Sequence, residues 1–241
     1  MASIAAAIAS PGATLLVMDV AFGAPRGLAP TLTGRPHAPA LWDWIAARHE
    51  DDARNRTNYR EVAAEMNSHF PGSGPFWGNG LAREVPGLPR KKPALPPHLP
   101  LHRETELAGR ADGARPFPIW QLAGAGVVGA QSLTAMAMLA RLRSHFGADL
   151  SIWPFDPPGK VTLAETYLSL QPEEVARRVA RGRVKDAAQA GAMALGFLRL
   201  AKAGHLARLF APGAAPEVLQ EEGWYLGAGE AALVRSAFGL E

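Results

Sequence analysis

The sequence predicts an α/β protein in which a sheet is flanked by helices, and three patterns support this fold class. Residues 13–20 are a short run of Leu, Val and Met, apolar on both faces like an interior strand of an α/β sheet. Residues 130–146 and 184–203 have the length and apolar spacing of long helices. With 25 Gly and 21 Pro among 241 residues, loops and turns must make up much of the remainder.

The first part of the chain contains three predicted helices. Small apolar residues over 2–9 favour a helix before the first predicted strand. Apolar spacing predicts a second helix over 41–50, where Leu, Trp and Ile share one face. A third is expected to begin at Asn58, since Glu61 three residues later completes a capping-box pattern, and to end near Phe70.

The second part of the chain alternates short strands with helices. Strands are predicted over 151–155, 161–167 and 224–226, and helices from 172 and over 230–238. We expect one domain over 1–241, with a helical and Pro-rich insertion over 41–118. No internal repeat is visible in the sequence.

Composition excludes several classes of protein. The chain has no cysteine, which rules out disulfides, thiolate metal sites and a cysteine nucleophile. The 25 basic and 22 acidic residues give a net charge of +3, which is weak evidence for nucleic-acid binding. No apolar run reaches the roughly 18 residues of a membrane helix, and the first residues lack a basic signal-peptide start. The sequence therefore favours a cytoplasmic protein without membrane contact.

A glycine pattern, Gly124-x-Gly126-x-x-Gly129, precedes the predicted helix over 130–146 and suggests dinucleotide binding. That fold also needs a strand before the glycines, and Pro116 and Pro118 leave only a short segment free to pair. No second strand-helix-strand unit follows. A Gly-rich loop that simply starts a helix is the favoured interpretation.

Three acids stand in apolar surroundings on separate predicted elements: Asp19 at a strand end, Glu165 in a strand, and Asp186 near a helix start. Converging carboxylates are what Mg²⁺ or Mn²⁺ requires, and such ions can activate water for phosphodiester hydrolysis. Each acid taken alone also fits a strand-end turn or a helix-start charge. The sequence cannot decide whether the three converge.

The loop over 71–80 contains glycines together with aromatic and amide side chains that we expect to be exposed. Trp77, Asn79, Arg83 and Gln121 are therefore candidate substrate-binding residues for a ring-bearing ligand. The alternative is that Phe76 and Trp77 anchor the loop in the core. The residue types leave these two interpretations equally open.

Several stretches together resemble a bacterial family of predicted RNase H-like nucleases of uncharacterised role, whose relatives are often labelled molybdopterin-guanine dinucleotide synthesis proteins. The stretches that carry the resemblance are MDVAFGAP (18–25), LWDW (41–44), FPGSGPFWGNG (70–80), WQLAGAGVVGAQSL (120–133), IWPF (152–155), AETYLSL (164–170), KDAAQAGAMAL (185–195) and EGWYLG (222–227). They occur in the family's order and cover most of the chain from 13 to 227.

The resemblance implies an RNase H-like mixed sheet flanked by helices, with Asp19, Glu165 and Asp186 in the places of the family's acids. Leu168 stands where the family's motif after the glutamate usually has Pro. The family's first strand, with an Asp-Trp-Ser motif, should precede Ala13, so the resemblance implies a chain that is shortened at its N-terminus. An exposed sheet edge in such a chain would favour a homo-oligomer.

Three functional hypotheses follow. The first is a phosphodiester hydrolase in which Asp19, Glu165 and Asp186 hold Mg²⁺ or Mn²⁺, acting on nucleic acid or a nucleotide and inactive if the sheet is shortened. The second is a non-catalytic nucleotide or pterin-nucleotide binding protein, with its pocket formed by loops 71–80 and 124–129. The third is a degenerate copy that serves as a helical interaction module.

Overall fold

The computed structural model describes residues 1–238, so that residues 239–241 of the predicted single domain lie outside the described part. The first six helices are α1 (Ala2–Ala9), α2 (Leu28–Thr33), α3 (Ala38–Ala46), α4 (Tyr59–Ser68), α5 (Glu104–Ala111) and α6 (Gly129–Phe146). The other five are α7 (Pro172–Ala180), α8 (Lys185–Lys202), α9 (Leu206–Leu209), α10 (Pro216–Glu222) and α11 (Ala231–Ser236). None of these helices of residues 1–238 has the length and apolar character needed to span a bilayer.

The sheet described in this part of the chain has three strands, β1 (Thr14–Met18), β2 (Ser151–Trp153) and β3 (Val161–Glu165). Their order is β1-β3-β2, and both pairings are parallel. The predicted α/β class and the sheet flanked by helices are confirmed. The sheet is parallel throughout these three strands, where the family resemblance implied a mixed one.

The central strand β3 separates two hydrophobic cores. Val161 and Leu163 belong to a first core that also holds the side chains of α3, α4 and α6. Ala164, whose side chain points to the opposite face, belongs to a second core with α8, α10 and α11. This alternation is the period of two expected of a strand buried on both faces. All five residues of β3 are buried, whereas those of the edge strand β1 are half-buried.

The stretch predicted as an insertion, 41–118, contributes several of the largest side chains of the first core. Trp42 is fully buried, and its indole N–H donates to the Phe22 carbonyl at 2.6 Å. Phe76 is also fully buried and meets Trp120 edge to face, with 5.1 Å between ring centres. The insertion therefore packs into the same core as β3 and α6.

Two local predictions were wrong. Asn58 is the N-cap residue of α4, where the helix was predicted to begin, but the capping box does not form; the Asn58 side chain accepts from the Glu50 N–H at 2.8 Å and donates to the Arg48 carbonyl at 2.9 Å. The Asn58 side chain thus bonds to the backbone of the preceding loop and not to the N–H groups at the start of α4. The segment 224–226 is not a strand, because it pairs with the sheet through a single bridge between Thr166 and Leu226.

Four short helices were not predicted: α2, α5, α9 and α10. Each is eight residues or shorter and lies in a Gly- or Pro-containing part of the chain, where hydrophobic periodicity is too brief to be recognised. The helix α5 matters most for function, because its first turn lies beside the end of β3.

Candidate functional site

A cavity of about 320 Å³ lies at the carboxyl ends of β1 and β3. Asp19 follows the last residue of β1, while Glu165 ends β3 and is followed by Thr166. Because the strands are parallel neighbours, with Met18 opposite Glu165, both chain ends emerge at the same edge of the sheet. Crevices at this edge are the usual ligand sites of open α/β sheets.

Seven segments of the chain form the wall of this cavity. Residues 19–21, 115–117 and 165–167 contribute, together with residues from α5 and its N-cap, the Gly-rich loop before α6, α8 and the stretch after α10. The structure therefore brings two of the predicted acids, Asp19 and Glu165, to one cavity.

Glu165 is held by a buried ion pair with Arg103, the residue just before α5. The two Nη atoms of Arg103 donate to the two carboxylate oxygens of Glu165 at 2.8 and 2.5 Å. The backbone N–H of Phe22 donates to the same carboxylate at 2.9 Å. Arg103 and Glu165 are 2% and 3% exposed. Both carboxylate oxygens are therefore engaged, and the charge of Glu165 is compensated.

Arg103 has a second acidic partner, Glu106, whose carboxylate accepts from Nε at 3.0 Å. Burial alone would lower the pKa of Arg103, but the charges of Glu165 and Glu106 outweigh it and raise that pKa. Burial would likewise raise the pKa of Glu106, yet the positive charge of Arg103 holds it below its usual value. Both shifts favour the charged forms of Arg103 and Glu106.

The network extends from Glu106 to the protein surface through His102. Glu106 Oε2 lies 3.2 Å from His102 Nδ1, and Arg110 Nη2 lies 2.8 Å from His102 Nε2. Since a guanidinium can only donate, Nε2 must accept, which assigns the imidazole hydrogen to Nδ1 as a donor to Glu106. These contacts lie within residues 102–110, and together with Arg103 they hold the Glu106 carboxylate in place.

Among the acids that line the cavity, Asp19 is the one that forms no ion pair with a described residue. Its Oδ1 accepts from the Leu168 N–H at 3.4 Å, and the side chain remains exposed. Partial desolvation at the cavity wall raises the pKa of Asp19; the Leu168 hydrogen bond opposes this shift, and the charge of Glu165 adds to it. Asp19 therefore offers the cavity a carboxylate with free lone pairs.

Asp186 lies in the first turn of α8, is exposed, and is not among the residues that line the cavity. One turn further on, Gln189 does line it. Among residues 1–238, no group of three or more His, Asp or Glu side chains is arranged to hold a metal ion. With Glu165 paired to Arg103 and Asp186 outside the cavity, the acids as arranged do not fit the predicted Mg²⁺ or Mn²⁺ site.

Thr166 and Tyr225 line the cavity, but their hydroxyl oxygens are enclosed in the protein and have no hydrogen-bond partner among the described residues. The two residues are 3% and 2% exposed. Leaving a buried hydroxyl unpaired costs about 1–3 kcal/mol. Burial raises the pKa of the Tyr225 phenol, so it stays protonated and able to donate.

The opening of the cavity carries features that suit an anion and an aromatic ring. Arg115 and Phe117 are exposed, and Arg115 forms none of the ion pairs found within residues 1–238. Gly126 and Val128 come just before the 18-residue helix α6, whose N-terminus has no side-chain cap. A free guanidinium and an uncapped helix N-terminus both favour negative charge.

The other predicted binding residues serve the core or the surface instead of this cavity. Trp77 is 6% exposed, and its backbone pairs with Gln121 in a single parallel bridge. Asn79 is fully buried and donates to the Arg83 carbonyl at 2.8 Å, while the Arg83 guanidinium pairs with Glu61 at 3.0 Å. None of the four predicted residues lines the cavity, and the contacts support the interpretation that Phe76 and Trp77 anchor the loop.

The Gly-rich stretch has a structural explanation. Gly126 has φ of 78°, in the left-handed region. A Cβ on Gly129 would overlap the carbonyl oxygens of Ile119 and Gln121, so glycine lets α6 begin directly against that backbone. Between α5 and α6 the structure has no strand that leads into these glycines.

Sequence reasoning missed Arg103, Arg115, Thr166 and Tyr225. Arg103 follows a Pro-rich stretch with no periodicity, and nothing in the sequence relates it to Glu165, 62 positions away. The one available signal for Tyr225 was its position in the aromatic stretch EGWYLG. Such pairings depend on the tertiary fold.

Comparisons of the chain with protein-family models, curated proteins and solved structures give no match. The RNase H-like family and the activity that it implies therefore remain expectations.

Proposed function

We propose that this protein binds a nucleotide-sized ligand, an aromatic ring bearing a phosphate group, in the cavity at the carboxyl ends of β1 and β3. The observation that carries the proposal is the cavity itself, which lies at the carboxyl ends of two parallel strands and has Asp19, Arg115 and Phe117 in its wall. Open α/β sheets usually bind their ligands at this edge. The volume of about 320 Å³ is at the small end of known ligand pockets, which suits one nucleotide.

The charges and aromatic rings favour a particular orientation of this ligand. The phosphate would lie at the opening, near Arg115 and the N-terminus of α6, because both attract anions. The ring would lie beside the phosphate, against Phe117 and Tyr167, which line the cavity. Asp19 would then accept hydrogen bonds from amino or imino groups on the ring.

The ion pair of Glu165 with Arg103 favours binding without hydrolysis over metal-dependent hydrolysis. The two carboxylate oxygens of Glu165 accept hydrogen bonds from Arg103 and from the Phe22 N–H, so they could coordinate a metal ion only after that ion pair opened. Hydrolysis of a phosphodiester remains a separate proposal. It would be supported if incubation with Mg²⁺ or Mn²⁺ converted a nucleotide or oligonucleotide, and if Glu165→Gln abolished the conversion in a protein that still folds.

Calorimetric titration with guanosine monophosphate tests the binding proposal. We expect saturable binding that Arg115→Ala and Phe117→Ala each weaken about tenfold, and chromatography of the ligand afterwards should show it unchanged. Arg54→Ala is the matched control, since Arg54 is exposed and lies away from the cavity. Absence of binding heat, or equal weakening by Arg54→Ala and Arg115→Ala, would refute the proposal.

A further inference from the structure

The sheet has an open edge along β1. Within residues 1–238, β1 pairs only with β3, and no isolated bridge reaches its other side. At one end of the strand the Thr14 N–H donates to the Lys160 carbonyl at 2.8 Å. At the other end the Met18 carbonyl accepts from the Thr166 N–H, also at 2.8 Å. Because a strand bonds to one neighbour through every second residue, the even positions of β1 are the ones that bond to β3.

The backbone N–H and C=O groups of Leu15 and Val17 therefore point away from β3. No described residue forms a hydrogen bond with them, and both residues are only half-buried. The sequence of β1, TLLVM, has neither the charge nor the proline that usually protects a sheet edge. The other edge strand, β2, has only three residues, and a short edge is itself protected. The open side of β1 is thus a template for one more strand.

An apolar groove lies beside β1 on each face of the sheet. On the face of the second core, Leu15 and Val17 line a groove of about 490 Å³ together with Phe197 and Leu198 of α8. Leu198 is 51% exposed. On the face of the first core, Met18 lines a groove of about 590 Å³ beside α6. Since the side chains of an added strand point alternately to the two faces, the grooves offer space for both sets.

We propose that a second copy of this chain closes the edge, its β1 pairing antiparallel with the first β1 about a twofold axis at Leu16. The free backbone groups are symmetric about that residue. Leu15 of each copy would therefore face Val17 of the other, and each such pair exchanges both of its N–H···O bonds. A contact of one surface with its own copy is the commonest kind in soluble oligomers.

The charges around β1 are compatible with this pairing. In the symmetric register Asp19 lies opposite Ala13 of the other copy, so the two Asp19 carboxylates stand at opposite ends of the paired strands. The strands themselves bring no charged side chains together. The contact is also independent of the proposed ligand, because antiparallel pairing places the two cavities at opposite ends of the joined sheet.

A single-cysteine cross-link tests this contact directly, because the chain has no cysteine of its own. At the twofold axis Leu16 faces Leu16 of the other copy in a non-hydrogen-bonded pair, with Cα atoms about 4.5 Å apart, within the range of a disulfide. Leu16→Cys should therefore give a covalent homodimer under mild oxidation. The matched control is Val184→Cys, which is 74% exposed and lines neither groove. It should cross-link at least about tenfold more slowly, since its thiols meet only by diffusion.

Sedimentation of the wild type at micromolar concentration should give twice the chain mass of 25.5 kDa. Val17→Lys places a charge in the paired strands and should restore the mass of one chain, whereas Val184→Lys should leave the dimer intact. Circular dichroism checks that each variant folds, and if Val17→Lys does not fold, the cross-link of Leu16→Cys decides.

Three results would overturn the proposal. A wild-type mass of one chain across the micromolar range would leave the edge to an extended segment of a different protein. A dimer that persists in a folded Val17→Lys would place the contact elsewhere. Equal cross-linking of Leu16→Cys and Val184→Cys would show that the β1 strands do not meet.

Discussion

Arg103 and Glu165, 62 positions apart in the chain, are joined by two hydrogen bonds of 2.8 and 2.5 Å inside the protein. The pair connects the start of α5 to the end of β3, and so ties the Pro-rich part of the chain to the sheet. It also decides the chemistry of the cavity, because it occupies the carboxylate that the sequence had suggested as a metal ligand.

Replacing Arg103 by Met should lower the free energy of unfolding by about 3–5 kcal/mol, because two buried carboxylates, Glu165 and Glu106, would lose their cation. Urea denaturation of the variant measures this loss. Arg83→Met is the matched control; its ion pair with Glu61 is largely exposed and should contribute no more than about 1 kcal/mol. Similar losses in the two variants would show that the buried ion pair stabilises the protein no more than the exposed one does.

Gly129→Ala should destabilise the protein by about 1–3 kcal/mol or more, since the new methyl group would overlap the backbone carbonyls of Ile119 and Gln121. The start of α6 would have to move away from the core. Thermal denaturation measures the effect, and Gly12→Ala, where the methyl group meets nothing within 4 Å, is the control. A Gly129→Ala protein as stable as the control would contradict the close approach of α6.

His49 should make the protein sensitive to mild acid. It is 3% exposed, and neither ring nitrogen has a hydrogen-bond partner among the described residues. Burial, followed by the positive charge of Arg141, lowers the pKa of His49. The unfolded chain therefore binds a proton at His49 more readily than the folded protein does. The contribution of His49 to the free energy of unfolding is complete above the unfolded pKa of about 6.5, and it is lost as the pH falls from there toward the lower pKa of the folded protein.

The measurement is the free energy of unfolding between pH 7.5 and 5 for the wild type and His49→Leu. The variant should lose less stability over this range than the wild type does. His205→Leu, at an exposed histidine, should follow the wild-type curve. Since burial raises the pKa of Glu222 and so acts in the opposite direction, the difference between variant and wild type is the informative quantity. Parallel curves for wild type and His49→Leu would refute the prediction.

Mg²⁺ and Mn²⁺ should leave the melting temperature of the wild type unchanged at millimolar concentration. The described acids do not assemble a metal site, and Asp186 lies outside the cavity. Asp186→Asn should accordingly behave as the wild type does in the presence of either ion. A metal-induced rise that is absent in Asp19→Asn would instead establish a site at the cavity.

The strands and long helices could be predicted because their signals are local. The apolar run over 13–20 and the spacing over 130–146 reflect burial that is regular along the sequence, and the structure has β1 and α6 there. The capping box predicted at Asn58 does not form, because the Asn58 side chain bonds to the backbone of the loop before α4. Local pattern cannot rank such alternatives, since their energies depend on contacts made after folding.

Only part of the site could be predicted, for the same reason. Asp19, Glu165 and Asp186 were grouped because each stands in apolar surroundings on a separate predicted element. The structure brings Asp19 and Glu165 to one cavity, because their parallel strands end at the same edge of the sheet, and it leaves Asp186 outside that cavity. Arg103 follows a Pro-rich segment with no periodic pattern, so its pairing with Glu165 could not be predicted.

Hydrogen–deuterium exchange with and without saturating guanosine monophosphate tests the central claim most directly, because it locates the ligand as well as detecting it. The account predicts slower exchange in residues 115–117, 126–131 and 166–168, which surround the cavity, and unchanged exchange in loop 71–80. Protection confined to loop 71–80, or no protection at all at saturating nucleotide, would contradict it.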